Sequence, residues 1–429
     1  MKRGILGNSS FFCAVKKKFE FAYRFKTKNW LAKTLYWADR NYSFFAFTLG
    51  NKHSYLHQPF GDYLFLGSEK LSPEAIWQSE IIRVGVFGYD LKNQLEQLSS
   101  QNPPFLELPE LCFFKAEWQL EIQEQGFASP YPIPEKWLQE IETFELPETP
   151  KTSCEITPQL KRSEYLHHIQ CIQEEIREGN TYEANFCQAF SGSFEEWDPV
   201  AAFLKLNQLS PMPFASLFKA ESQWLVSASP ERFLKKSGDK LIAQPIKGTI
   251  QRGNSAETDQ FQKEKLLASE KERAENLMIT DLMRNDLARV SETGTVQVEE
   301  LFGIYPLPRV FQMISTVSSR LRKEVNLKEI IEATFPMGSM TGAPKISTMK
   351  ILEREEGFQR GWFSGAFGWI DEQGDFDFSV VIRSIIADLE VKKLYFGVGS
   401  AITIDASPEQ EYEECALKAQ AIIELLLGN

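Results

Sequence analysis

The chain has 429 residues, 43% hydrophobic and 25% charged, which is ordinary globular composition with ample length for a large core. A formal net charge of −12 without a long basic run argues against nucleic acid or an anionic membrane as partner, and leaves an anionic substrate possible only where a local site gathers cations or a metal. Cys13, Cys112, Cys154, Cys171, Cys187 and Cys415 are scattered without a C-x-x-C, and His53, His57, His167 and His168 make no zinc spacing with them. Free thiols of a reducing cytosol fit this pattern. Lys2 and Arg3 open a basic terminus, but Asn8-Ser9-Ser10 interrupts its apolar run. The expectation is a cytoplasmic protein without signal peptide or transmembrane span.

In chain order, residues 1–128 read as a strand-rich subdomain of short strands and loops, such as Tyr42–Leu49 and Ile81–Tyr89. Prolines then cluster (Pro130, Pro132, Pro134, Pro147, Pro150, Pro158), so 129–157 reads as a connector with one short helix near Glu135–Phe144. The main domain is 158–429. Thr157-Pro158 reads as a helix start, followed by Tyr165, Ile169, Ile172 and Ile176 at helical spacing up to Gly179-Asn180. Tyr182–Phe190 alternates as a strand, with Glu183, Asn185 and Cys187 sharing one face. One long helix is predicted from Ala256 to Val290 and a final helix from Pro408 to Leu427. Between them Val310–Ser318, Phe363–Ile370, Phe378–Ala387 and Lys393–Ile404 read as strands, the last three spaced for antiparallel pairing. The class is mixed α/β with extensive sheet.

Two helices carry E-x-x-E pairs. Glu272 and Glu275 share a face and prolong the apolar stripe of Ile279, Leu282 and Met283. They point inward, or else form a solvated acidic turn beside Lys271 and Arg273. Glu411, Glu414 and Lys418 form a second stripe on a helix capped by Ser407, about 100° from the apolar face of Tyr412, Cys415, Ala416, Ala419, Ile423 and Leu426. Alone, that triplet reads as a salt-bridged surface face. Two facing pairs, however, are the hard oxygen ligands that Mg²⁺ takes, and without a cation such carboxylates repel and must protonate or disperse.

Two glycine-rich stretches, Phe335–Lys345 and Phe396–Asp405, read as turns whose backbone amides could approach a ligand closely. Neither is a phosphate loop. Arg383 lies inside a predicted strand, where a guanidinium usually has a bound partner. Lys247, in AQPIKGTIQRG, sits where a strand end runs into a tight turn, which leaves its cation little slack.

The ordered motifs SASPERF, QPIKGT, AENLMITDLMRNDLARV, FPMGSMTGAPK, SVVIRSI and GSAITIDASPEQEYEECALKA resemble those of the chorismate-utilising enzymes over about Pro158–Leu427. The resemblance implies a large sandwich of antiparallel sheets with helices outside, a chorismate-binding catalytic domain, and a need for Mg²⁺. It implies Glu275 and Glu414 as Mg²⁺ ligands, with Glu272 and Glu411 as second ligands or water holders. Lys418, Arg383 and the Gly399-Ser400-Ala401 amides would contact substrate carboxylates. Ser339 would lie near the departing hydroxyl, Thr249 would line the pocket, and Glu231 would be the general acid.

Lys247 selects the branch. Anthranilate synthases resemble this region but read PIAGT, whereas lysine marks the aminodeoxychorismate (para-aminobenzoate) branch. The implied reaction joins chorismate and ammonia into 4-amino-4-deoxychorismate for folate synthesis, an amination of the transaminase class. Ammonia must reach carbon 4 with retained stereochemistry. A lysine that first bonds to carbon 2 makes this a pair of displacements, and it must be neutral to attack, which requires a lowered pKa. Where relatives use a lysine base for water this chain has Glu183, and Gln312 and Ala401 replace a usual histidine and glycine. The alternatives are an anthranilate synthase component I and a non-catalytic chorismate-binding homologue. With no glutaminase signature in the chain, ammonia is expected from a separate glutamine amidotransferase subunit, and with no lyase domain the product is expected to leave unaromatised.

Overall fold

The computed structural model describes residues 19–78, 80–148 and 154–427; the basic N-terminus, Cys13 and Pro150 lie outside them. Among the described residues two antiparallel sheets, of 12 and 10 strands, pack face to face. Phe218 of the first touches Phe367 of the second, with ring centroids 5.6 Å apart. The first sheet runs from Phe21–Arg24 through Phe44–Leu49, Phe214–Ala220, Gln223–Ser229, Ser384–Asp388 and Lys393–Ile402 to Glu183–Phe194. The second contains Ile246–Gln251, Val310–Arg320, Lys240–Gln244, Arg232–Ser237, Phe376–Val380, Ala366–Ile370 and Arg83–Phe87. Helices Arg162–Arg177 and Pro408–Leu426 cover the outside of the first sheet, and Glu270–Ala288 covers the second. This is the expected sandwich with helices outside. No helix of the described residues is long and apolar enough to cross a membrane.

Strands from 19–128 are woven into both sheets. Phe47 lies opposite Leu217 in the first, and Val86 opposite Phe367 in the second. One apolar core runs from Phe25 to Leu426. The connector thus separates stretches of sequence that share a core.

Several local expectations are corrected. Helix Trp30–Asn41 was hidden by the aromatic content of a region read as strands and loops; it buries Trp30, Thr34, Leu35, Trp37 and Ala38 along one stripe. Thr157-Pro158 ends strand Cys154–Pro158, with Pro158 opposite Phe190, and the helix begins at Arg162, where Glu164 accepts the Lys161 N–H at 2.8 Å. The long helix is two, Ala256–Ala268 and Glu270–Ala288, because Ser269 turns extended and its hydroxyl caps the Glu272 N–H. Phe378–Ala387 divides between the two sheets: Phe376–Val380 lies in one and Ser384–Asp388 in the other. Arg383 stands at the crossing with φ of 51°, not inside a strand. Gly397, Gly399, Ser400 and Ala401 belong to strand Lys393–Ile402 rather than a turn. Ser407 precedes the last helix without a side-chain cap bond. That helix buries Glu411 in line with Cys415, Ala419, Ile422 and Leu426, while Ala416 is exposed. The second carboxylate pair therefore begins inside the packed stripe, not 100° from it.

Candidate active site

Lys247 lies on a β-bulge. Ile246 pairs with Ile314 and Thr249 with Gln312, so strand Ile246–Gln251 carries one extra residue. Gly248 makes the bulge with φ of +95°, and a Cβ there would stand 3.1 Å from Glu272 Oε2. The Asn276 side chain, from helix Glu270–Ala288, donates to the carbonyls of Lys247 (3.3 Å) and Met313 (3.2 Å) and holds the bulge against the helix. The Lys247 side chain reaches the other sheet and donates to Glu183 Oε1 at 2.5 Å. Both residues are buried. Burial would lower the Lys247 pKa, but the carboxylates of Glu183, Glu275 and Glu231 outweigh it and hold the ammonium above its usual range. The expected lowered pKa is thus corrected: the resting amine is protonated, and Glu183 is the group beside it that can take the proton.

Glu231 follows the Ser229-Pro230 corner, with its carbonyl accepting from Val380 N–H at 3.0 Å. Burial pushes its carboxyl up to about 7, against the opposing pull of the Ser339 hydroxyl, the Lys247 ammonium, the Ile246 amide and Arg383. A carboxyl that still carries a proton near neutral pH is suited to general-acid work. Arg383 forms no ion pair among the described residues; its Nη1 reaches Met212 Sδ at 3.8 Å. Burial lowers its pKa while Tyr55 and Glu231 raise it. It is a half-buried guanidinium free to pair with an incoming carboxylate.

The four predicted metal carboxylates face one another from helices Glu270–Ala288 and Pro408–Leu426. Burial pushes Glu275 up to about 7, and Glu272 and Glu411 also upward, with neighbouring carboxylates adding to each. Glu414 is exposed, and although partial burial raises its pKa, the Lys418 ammonium at 2.7 Å brings it below the usual range. Lys271 stands between the pairs, 3.3 Å from Glu411 and 3.9 Å from Glu275. Among the described residues no three carboxylates converge as a formed metal site. The donors nevertheless fit a hard cation in kind: all are carboxylates, and buried Glu275 Oε1 has no hydrogen-bond partner. Lys271 would have to withdraw to admit one.

The other predicted contacts are placed unevenly. Lys418 is engaged by the Gly399 carbonyl at 2.8 Å as well as by Glu414. The Ser400 hydroxyl faces the helices, 3.0 Å from the Tyr165 hydroxyl. Gly399 lies opposite Cys187, where a Cβ would meet Cys187 Sγ at 2.6 Å and Asn185 Nδ2 at 2.9 Å. Ala401 lies opposite Asn185. Thr249 is exposed, two residues beyond Lys247, and its cross-strand neighbour Gln312 is buried. Ser339 is buried in the short turn Gly338–Met340. Among the described residues 12 buried side-chain atoms lack a hydrogen-bond partner, and three of them are Glu183 Oε2, Glu275 Oε1 and Gln312 Oε1. Each such atom costs about 1–3 kcal/mol unless something fills its need. Glu183 and Glu275, from different elements, both act on Lys247 and each leaves an unmet carboxylate oxygen, as a site shaped for a polar ligand would.

Comparison with known proteins agrees. The family described as chorismate binding enzyme matches residues 48–424. The chain belongs to that family. It is 34% identical over 351 residues to aminodeoxychorismate synthase component 1 of Klebsiella aerogenes, covering 80% of this chain and 76% of the relative. It is 36% identical over 262 residues to an anthranilate synthase component 1 of Haloarcula marismortui, covering 61% of this chain and 53% of that one. The fold is shared with the crystal structure of anthranilate synthase component I from Streptococcus pneumoniae at a TM-score of 0.72 and 24% identity, over 88% of this chain and 89% of the other.

In this chorismate binding enzyme the motifs located Lys247, Glu231, Glu275, Arg383 and Ser339, and the fold brings them together. Sequence reading missed Glu183 as the partner of Lys247 and Lys271 as the cation between the carboxylate pairs. Asn276, which clamps the bulge, was also missed. It directly follows Glu275, and a polar side chain next to an inward carboxylate was the available signal.

Proposed function

We propose that the chain aminates chorismate at carbon 4, forming 4-amino-4-deoxychorismate and water, with Lys247 as a transient covalent nucleophile. The observation that carries this reading is the 2.5 Å contact of Lys247 with Glu183, whose second oxygen, like Glu275 Oε1, has no hydrogen-bond partner. Arg383 pairs with a substrate carboxylate and orients the ring. Lys247 passes a proton to Glu183, and its free amine bonds to ring carbon 2. The ring double bonds shift, the carbon 4–oxygen bond breaks, and Glu231 protonates the departing oxygen, releasing water. Ammonia bonds to carbon 4, the double bonds shift back, and the carbon 2–nitrogen bond to Lys247 breaks. The Glu231 carboxylate takes the surplus proton of the added ammonia and Glu183 returns its proton to Lys247, so both groups are reset. Ser339 and Gln312 offer polar contacts to the substrate oxygens.

Magnesium, when held by Glu275 and Glu414 with Glu272 and Glu411, would supply positive charge for a substrate carboxylate in an otherwise acidic chain. We assign the release of ammonia to a separate glutamine amidotransferase subunit; the Klebsiella aerogenes relative is named a component 1, which supports a second component. The reaction falls in the transaminase class. The five described cysteines are all free, which supports the reducing cytoplasm as its compartment.

The test is to incubate the purified chain with chorismate, Mg²⁺ and ammonium and identify the product. The expected product is 4-amino-4-deoxychorismate, and without ammonium an adduct of chorismate less water is expected on Lys247 by mass spectrometry. Lys247→Ala is expected to lower turnover by about 10³-fold or more, the scale of removing a covalent nucleophile. Ortho-aminobenzoate as product, or an unchanged Lys247→Ala rate, overturns the reading.

A further inference from the structure

Behind the site lies a buried ion pair that the chemistry above does not use. Arg360 Nε donates to Glu356 Oε2 at 2.8 Å, and its Nη2 donates to Glu356 Oε1 at 2.5 Å. The same guanidinium donates from Nη1 to the Met340 carbonyl at 2.7 Å and from Nη2 to the Asn185 carbonyl at 3.1 Å. Glu356 Oε1 in turn accepts the Cys187 N–H at 2.9 Å. The Tyr89 ring covers the guanidinium, 4.3 Å from its centroid. Arg360 is 1% exposed and Glu356 is 4% exposed.

Such a pair is an odd choice for stability alone. Taking both charges from water costs several kcal/mol per ion, and well-packed apolar residues of similar volume often serve as well or better. What apolar residues cannot do is bridge backbone carbonyls in a fixed planar fork. The bridged carbonyls are telling. Met340 closes the turn Gly338–Met340 that carries Ser339, and Asn185 lies two residues after Glu183 on strand Glu183–Phe194. The turn carries the hydroxyl that acts on Glu231, and the strand carries the carboxylate that faces Lys247.

We propose that Arg360, held by Glu356, is a positioning residue that sets the Ser339 turn against the Glu183 strand and so fixes the spacing between the acid and base halves of the site. This rests on the chorismate reading. Arg360→Lys keeps the charge opposite Glu356 but loses the fork. It is expected to melt within a few degrees of wild type, to leave KM for chorismate within about twofold, and to lower kcat by about 10- to 100-fold, the scale of small misplacements. Its pH profile should also shift in the limb set by Glu231, because a displaced Ser339 no longer pulls that carboxyl down. The double variant Arg360→Met with Glu356→Leu removes both buried charges, and is expected to fold yet remain impaired in kcat. Wild-type kcat and pH profile in either folded variant overturns the proposal. So does failure of both variants to fold, which would assign the pair to folding alone. If the wild-type chain itself does not turn over chorismate, the reading of the site fails instead, and the two failures are told apart.

Discussion

Lys247 Nζ lies 2.5 Å from Glu183 Oε1, and the second oxygen of Glu183 has no partner. A buried lysine with a free carboxylate oxygen behind its partner is poised to lose a proton to a group that can also return it. Replacing Glu183 by Gln keeps the shape and removes the acceptor. Turnover with chorismate and ammonium is expected to fall by about 10²- to 10⁴-fold. The stability effect has a definite sign. The folded-state pKa of Lys247 is raised, so its contribution is full below about 10.5 and is lost as pH rises through the higher folded value. In Glu183→Gln this alkaline loss should move to lower pH in a denaturant titration; an unmoved profile would break the assignment of the pair.

Glu231 should appear in the pH dependence of kcat/KM. As the general acid it must be protonated, so activity is expected to fall as pH rises through about 7. Glu231→Gln should remove that limb along with most of the rate. Because burial raises this carboxyl, it destabilises the fold, increasingly as pH rises above about 4.5 and fully above about 7. Glu231→Gln should therefore melt higher than wild type at pH 8 and no higher at pH 4.

Lys271 competes with any cation for the carboxylates. Lys271→Met is expected to lower the magnesium concentration that gives half-maximal activity. It should also lower the melting temperature in a chelator, because Glu272, Glu275 and Glu411 then lose the ammonium that stands between the pairs. Added magnesium should restore the lost stability. A magnesium requirement identical to wild type would remove the carboxylate pairs from the metal assignment.

Gln312 is 2% exposed, and its amide oxygen has no partner. Gln312→Leu removes an unmet acceptor, and is expected to stabilise the free chain by about 1 kcal/mol while lowering kcat/KM for chorismate about 10-fold. Thermal melts and steady-state kinetics check both arms. Lower stability with unchanged kinetics would mark the glutamine as structural.

Much of the site was legible because its residues sit in short motifs whose spacing is local. E-x-x-E on a helix places two carboxylates on one face whatever the helix packs against. The strand that carries Glu183 was likewise legible from alternation, and Glu183, Asn185 and Cys187 do share a buried face. Arg383 was misread because VVIRSI has the composition of a single strand, and only the change of sheet forces its positive φ. Helix Trp30–Asn41 was missed because Trp30, Tyr36 and Trp37 are large aromatics, which favour strands on propensity until packing selects the helical stripe.

The sequence by itself determined the fold class, the carboxylate pairs and the lysine that distinguishes this chain, because periodicity and residue type are properties of neighbouring positions. Tertiary structure alone decided the charge states. Glu183 is 64 residues from Lys247 in sequence, and their contact reverses the expected direction of the lysine's shift. A pKa reports the field of every group nearby in space, and only the folded sheets determine which groups those are.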